Sequence, residues 1–351
     1  MANNFLSIDL DYILSQTVSI WNELRNQRIF ITGGTGFLGT WILESFVWAN
    51  RKLKLNSEAV VLTRDIDNFL KKCPHLANDR SLKYYEGNIL NFKYPQGNFS
   101  HIIHAATDSN YAKISSWKML ETIIQGTKYT LEFAKHCRVK KFLFVSSGAM
   151  YGRQSEVDLI DENNLSLLDS SGLMPSYSIG KFIAEYMCNL YGREHEFEIK
   201  IARCFAFFGP YLPLDLHFAI GNFIQNRLNN EPIQIKGNGH AVRSYLYIAD
   251  LCIWLWTILF HGKNLTAYNV GSNEKYSICE IANLIAKSIE PYVEVKIDNN
   301  KKSSIADDNY IPNINLAKEH LNLKPHINFN KALNMTIDWF RHQSYLNKVV
   351  I

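Results

Sequence analysis

The feature that most constrains this chain is a cluster of glycines set between two apolar stretches. Arg28–Ile31 reads as a short strand and Thr32 follows it; glycines then stand at 33, 34, 36 and 39, around the start of a helical stretch, Phe37–Ala49. Two spacings fit, Gly34-x-Gly36-x-x-Gly39 and Thr32-Gly33-x-x-Gly36-x-x-Gly39. Glycine here serves a tight turn, close backbone approach to a pyrophosphate, and close packing of helix on strand. The helix that begins near Phe37 points its free N–H groups at the phosphates. A merely structural glycine turn is the plainer alternative. It does not account for the strand before the loop and the helix after it, which are the context the motif requires.

The rest of the chain repeats that alternation. Apolar runs occur at Glu58–Leu62, His101–His104, Phe142–Val145 and Glu198–Ala202, and Asn269–Gly271 ends another short strand. Helical stretches include Thr122–Cys137, Ser178–Tyr191, Ala219–Asn229 and Ile278–Ile289. This predicts an α/β fold with a parallel sheet covered on both faces. Before the loop, Asp9–Arg25 places Leu10, Ile13, Leu14, Val18, Trp21 and Leu24 at helical spacing. After residue 205, Pro210, Pro213 and Pro232 break the pattern. A length of 351 residues suits two domains, or a core with a lobe.

Composition excludes several classes. With 47% hydrophobic and 20% charged residues, the chain is neither disordered nor fibrous. A net charge of +4 demands neither nucleic acid nor a membrane surface. Cysteines at 73, 137, 188, 204, 252 and 279 form no CxxC pair and read as reduced thiols of a cytosolic protein. The N-terminus lacks the basic and apolar regions of a secretory signal. Leu251–Phe260 is too short to span a bilayer, so it reads as a core helix packing Trp254 and Trp256. Asn299–Ser304 reads as a solvated loop.

The second strand ends Val60-Val61-Leu62-Thr63-Arg64-Asp65. An NAD site usually places an acid there for the ribose hydroxyls. Arg64 instead offers a partner for a 2′-phosphate, which favours NADP; Asp65, one residue on, leaves NAD open. Farther along, Tyr177 and Lys181 stand four apart on a helical stretch, and so on one face. A free tyrosine has a pKa near ~10, and an adjacent ammonium stabilises its phenolate. Such a phenol can pass a proton to or from a hydroxyl or ketone during hydride transfer. Ser147, at the end of the fourth apolar run, is placed to hydrogen-bond the same oxygen.

Together these segments resemble the extended short-chain dehydrogenase/reductase superfamily, in its nucleotide-sugar epimerase/dehydratase branch. The resembling residues are Thr32–Gly39, His104–Thr107, Ser146–Gly152, Tyr177–Lys181, Arg203–Pro210 and Arg243–Asp250. The resemblance implies a Rossmann-type doubly wound parallel sheet with a smaller C-terminal substrate-binding lobe. Residues 1–27 would be a helical extension. Residues 28–205 with about 241–272 would form the core, and about 206–240 with 273–351 the lobe. It also implies catalysis by Ser147, Tyr177 and Lys181. The cofactor would be held by Thr32, Gly33, Gly36, Phe37, Leu38 and Gly39, by Arg64, Asn88 and Ile89, and by Ala105, Ala106 and Thr107, with Tyr177 and Lys181 at its nicotinamide end. Ser147, Gly148, Asn222 and Arg243 would hold the substrate.

Departures from the family narrow the chemistry. Sugar-nucleotide 4,6-dehydratases carry an Asp-Glu pair directly after the Ser/Thr, and UDP-glucuronate decarboxylases a Glu; here Gly148 and Ala149 stand there. Ala206 replaces a common Asn. His217 in a proline-flanked loop, and Cys204, are candidate second acid/bases, though a hydrogen-bonded lobe histidine and a buried thiol are the plainer readings. His101 and His104 span a strand without a third ligand, so no catalytic metal is expected. Three functions compete: an NADP-dependent reductase of a 4-keto nucleotide sugar, a 4-epimerase with tightly bound NAD, and a non-catalytic dinucleotide sensor. The expected partner is a nucleotide-diphosphate sugar, without nucleic acid or membrane, in a cytoplasmic homodimer.

Overall fold

A computed structural model describes residues 5–107, 114–152, 158–164, 175–216, 218–298 and 309–349. The chain starts with α1 (Ser7–Thr17) and a 3-10 turn at Trp21–Leu24. Next come β1 (Arg28–Thr32), α2 (Phe37–Leu53), β2 (Glu58–Thr63), the short helices α3 (Ile66–Lys72) and α4 (Pro74–Ala77), and β3 (Leu82–Glu86). β4 (His101–His104), α5 (Ser116–Cys137), β5 (Lys141–Ser147), a 3-10 turn at Gly148–Tyr151, α6 (Ser176–Glu194) and β6 (Glu198–Cys204) follow. Beyond lie β7 (Phe207–Phe208), α7 (Ala219–Leu228), β8 (Ile233–Lys236), β9 (Val242–Arg243), β10 (Leu246–Tyr247), α8 (Ile248–His261) and β11 (Thr266–Val270). The chain closes with β12 (Tyr276–Ser277), α9 (Ile278–Ala286), β13 (Val295–Asp298), β14 (Asn309–Tyr310), α10 (Asn315–Leu321) and α11 (Phe329–Val349).

Seven of these strands form one parallel sheet in the order β11-β6-β5-β4-β1-β2-β3. Successive side chains on a strand point to opposite faces, and both faces here are covered. On β1, Phe30 packs edge-on against Phe133 of α5, in one buried cluster with Met119 of α5 and Ala184 of α6, whereas Ile29 and Ile31 belong to the opposite cluster with Trp41 and Phe46 of α2 and Leu255 of α8. That two-sided burial is why the strands read as unbroken apolar runs. α8 is buried almost all round, Trp254 and Trp256 included. No described helix is long and apolar enough to cross a membrane.

The N-terminal helix caps this core. Leu10 and Ile13 of α1 are buried, Tyr12 donates to the Asp250 carboxylate at 2.8 Å, and the Tyr247 hydroxyl donates to Asp9 at 2.8 Å.

Two differences from the sequence reading stand out. A strand, β3, lies between the second and third apolar runs. It sits at the sheet edge, with Lys83 and Glu86 exposed, so it lacks the apolar signature of its neighbours. The C-terminal part holds paired strands of two to four residues, β7 with β10, β8 with β13, and β12-β9-β14. Strands that short carry no readable periodicity. Asn299–Ser304 lies outside the described residues.

Candidate active site

The order of the sheet reverses at β1, whose neighbours are β4 on one side and β2 on the other. Such a switch point opens a crevice at the carboxyl ends of the strands. The glycine loop lies there. Gly33 has φ +73°, and a Cβ on it would stand 2.6 Å from the Ala105 carbonyl, so only glycine fits between the tips of β1 and β4. Thr32 works beneath the crevice. Its hydroxyl lies 2.7 Å from His104 Nδ1 and accepts the Ala106 N–H at 3.2 Å. His104 Nε2 in turn meets the Thr127 hydroxyl at 3.1 Å. Burial pushes the His104 imidazole down to about 3, so it stays neutral in this stitch.

A cavity of about 940 Å³ runs along these strand tips. Gly33, Gly36, Phe37, Leu38 and Gly39 line it, together with Arg64, Asn88, Ile89, Ala105, Ala106 and Thr107. An adjoining pocket of about 420 Å³ is lined by Thr35, Thr63, Arg64, Asp65, Asn68, Phe69 and Lys72. There Asp65 caps α3, its Oδ1 accepting the Asn68 N–H at 2.9 Å. Gly36 is the N-cap of α2, which has no side-chain cap. The buried Thr107 hydroxyl has no hydrogen-bond partner among the described residues. Open helical N–H groups and an unsatisfied hydroxyl facing one cavity fit a phosphate- and ribose-bearing ligand such as a dinucleotide.

The cavity continues to Ser147, Tyr177 and Lys181. Ser147 ends β5, and its Oγ accepts the Ala149 N–H at 3.2 Å, starting the 3-10 turn. Lys181 Nζ donates to the Val145 carbonyl at 2.8 Å and lies 5.8 Å from the centroid of the Tyr177 ring. Burial pulls the Lys181 ammonium down to about 8. Behind this row, the Ser146 hydroxyl donates to Glu185 at 2.5 Å, and Arg203 clamps that carboxylate at 2.8 Å. The tip of β5 is thus held by a buried ion pair.

Not every expected residue reaches the cavity. Arg243 lines it, but Thr32, Gly148 and Asn222 are not among its lining residues. Asn222 lies in α7 just past Ala219 and Ile220, which do line it. Cys204 lines it as well, with its thiol pushed up to about 12 by burial, as befits a packing residue. His217 lies outside the described residues. The sequence reading missed Thr35, Lys72, Phe205 and Tyr310. Thr35 and Lys72 had a signal, since one sits inside the glycine loop and the other follows Arg64 on the next helix. Phe205 lies within the Arg203–Pro210 segment already singled out, and Tyr310 had no signal.

Comparison with known proteins agrees with this geometry. The model of the NAD dependent epimerase/dehydratase family matches residues 29–271. A dTDP-D-glucose 4,6-dehydratase of Dictyostelium discoideum is 31% identical over 281 residues, 75% of this chain and 62% of its own length. The UDP-glucuronic acid decarboxylase 1 of Xenopus tropicalis is 27% identical over 333 residues, 93% of this chain and 75% of that protein. Among solved structures, an epimerase of Methanothermobacter thermautotrophicus shares the fold with a TM-score of 0.78 at 20% identity, covering 98% of both chains. The UDP-glucose 4-epimerase of Thermotoga maritima has a TM-score of 0.75 at 21% identity, covering 90% of this chain and 99% of its own.

Proposed function

The chain belongs to the NAD dependent epimerase/dehydratase family of enzymes, and from that membership we propose that it is an NADP-dependent reductase of a 4-keto nucleotide-diphosphate sugar. One observation carries the reaction class. Ser147, Tyr177 and Lys181 converge on the cavity, while Gly148 and Ala149 stand where dehydratases keep their acid pair. The pocket beside Arg64 carries the cofactor preference. Arg64 and Lys72 line it, and Asp65, the residue that would serve ribose hydroxyls, is engaged in capping α3.

A bound reduced nicotinamide supplies hydride to the carbonyl carbon. Tyr177 gives its phenolic proton to the carbonyl oxygen, so the ketone becomes an alcohol. The Lys181 ammonium favours the phenolate left behind. The Ser147 hydroxyl donates to the same oxygen and holds it in line. Arg243 faces the diphosphate from the lobe side of the cavity. With no carboxyl at 148 or 149, nothing on this strand end expels water from the neighbouring carbon.

The test is incubation of the purified protein with NADPH and a panel of UDP-, dTDP-, CDP- and GDP-linked sugars, with and without a 4-keto group. Cofactor consumption matched by a 4-hydroxy product is expected with the 4-keto sugars. A 4-keto-6-deoxy product from an NDP-glucose would overturn the assignment. So would inversion at C4 without net cofactor consumption, which marks an epimerase.

A further inference from the structure

Position 148 has a meaning beyond the missing acid. A Cβ built on Gly148 would lie 2.7 Å from the Phe205 ring and 2.7 Å from the Tyr310 hydroxyl. Any side chain there must push both aside. The glycine therefore admits a second phenol beside the catalytic serine. The Tyr310 hydroxyl thus stands beside Ser147, within reach of its side chain. Its ring packs on Phe205 with centroids 4.6 Å apart, and the Arg243 guanidinium lies 6.0 Å from its centroid.

The phenol is held from two sides. Toward the lobe, Tyr310 stands in register with Arg243 across the parallel pair β14–β9. Toward the core, the Ile160 N–H donates to the Ile311 carbonyl at 2.8 Å, and the Asn313 N–H returns to the Ile160 carbonyl at 2.7 Å. Asn269 Nδ2 adds a bond to the Asn313 carbonyl at 3.2 Å. Burial and the neighbouring Tyr177 push the Tyr310 phenol above the ordinary tyrosine range, so it stays protonated at working pH.

We propose that Tyr310 is a positioning residue for Ser147, and that Gly148 is the residue that makes room for it. A serine hydroxyl is a free rotor with three hydrogen-bonding directions. The Ala149 N–H takes one, and the Tyr310 hydroxyl stands where it can take a second. The remaining direction is left for the reacting oxygen. A carboxyl-bearing residue at 148 would displace this phenol from its present place, so glycine in place of an acid also puts a hydroxyl where a proton carrier would stand. This inference rests on the reductase reading and deepens it.

The experiment is a pair of double-mutant cycles on the full chain. In the first, kcat and KM for 4-keto sugar reduction are measured in Tyr310→Phe, Ser147→Ala and the double variant. Losing one oriented hydrogen bond should lower kcat about tenfold in Tyr310→Phe with KM nearly unchanged. Losing the oxyanion donor in Ser147→Ala should cost roughly 10²-fold. The double variant should be no slower than Ser147→Ala, because Tyr310 acts through that serine. Multiplying losses, or wild-type kcat in Tyr310→Phe, would overturn the role. The second cycle needs no substrate: melting of Gly148→Ala, Tyr310→Phe and their combination. Non-additive shifts are expected because the two groups touch, and additive shifts would overturn the contact. If the wild type reduces no 4-keto nucleotide sugar, the reductase reading and the role built on it fall together. The melting cycle still decides the contact in that case.

Discussion

At its glycine-loop end the cavity is walled by strand tips and the turns that leave them: Gly33–Gly39 after β1, Thr63 and Arg64 at the end of β2, and Ala105–Thr107 after β4. At its Tyr177 end it is walled by Ser147 from β5, Tyr177 and Lys181 from α6, Phe205 beyond β6, Arg243 from β9 and Tyr310 from β14. The first end repeats one device, a parallel strand that stops and releases its chain into the crevice. The second gathers unlike elements, two of them from strands only two residues long. The first end should therefore tolerate a change at Arg64, whose exposed side chain lies outside the stitch of Thr32, His104 and Ala106. The second should fail as a unit, because each group leans on another.

The largest effect that distinguishes the two ends is expected at Tyr177. Tyr177→Phe removes one oxygen, so cofactor binding at the far end should survive while kcat falls roughly 10²–10⁴-fold. Lys181→Met should lower the rate and also move the alkaline limb of the pH–rate profile. Since burial sets the Lys181 ammonium at about 8, the wild type loses that cation as pH rises through 8. Methionine has no such proton to lose, and the phenol beside it stays protonated to higher pH, so the limb should shift upward. A pH–rate series on the three proteins decides this. Near wild-type turnover in Tyr177→Phe would make that helix structural and dissolve the contrast.

A smaller, separable effect is expected at the other end. Arg64→Ala should weaken NADPH about tenfold, the low end for a charge-assisted contact because the side chain is exposed. NADH should change little. Titration of the apo protein by nicotinamide fluorescence reads both affinities without turnover. Equal losses for the two cofactors, or tighter NADH in the wild type, would return Asp65 to the ribose.

The smallest effect belongs to a seam outside both ends. Burial raises the Asp9 carboxyl to about 6, with Tyr247 and Lys331 opposing the rise and Asp250 adding to it. A carboxyl raised on folding favours the protonated form. Its stabilisation is complete below the ordinary aspartate range and fades as pH rises through 6. The attachment of α1 should therefore weaken between pH 5 and 7.5, by ~1 kcal/mol or a melting shift of about 2 °C. Asp9→Asn should flatten that dependence; an unchanged slope would assign it to Asp250 instead.

Much of the first end was legible in the chain itself. A strand buried on both faces must be apolar along its whole length, so β1, β2, β4, β5 and β6 announce themselves. A loop that packs Gly33 against the Ala105 carbonyl must be glycine, and the residue type shows it. Tyr177 and Lys181 were readable for a similar reason, since a helix brings residues four apart onto one face. The helix spacing is local geometry, fixed by neighbours within a few residues, whereas the glycine shows only as a residue type, its partner Ala105 lying far along the chain.

The rest depended on residues that meet only after folding. β3 hid because an edge strand is half wet and need not be apolar. The two-residue strands β7, β9, β10, β12 and β14 hid because they are too short to show a period. Gly148 read as a lost acid, and only the packed Phe205 and Tyr310 rings show what fills the space its missing side chain would take. Asp65 read as the alternative acid for the ribose hydroxyls, and only the fold shows that it also caps α3. Tyr310 lies far along the chain from Ser147, and nothing near it in sequence predicts the contact. Spacing along one segment is set by backbone geometry. Contact between distant segments is set by how whole elements pack, and in this protein that packing decided the surroundings of the serine.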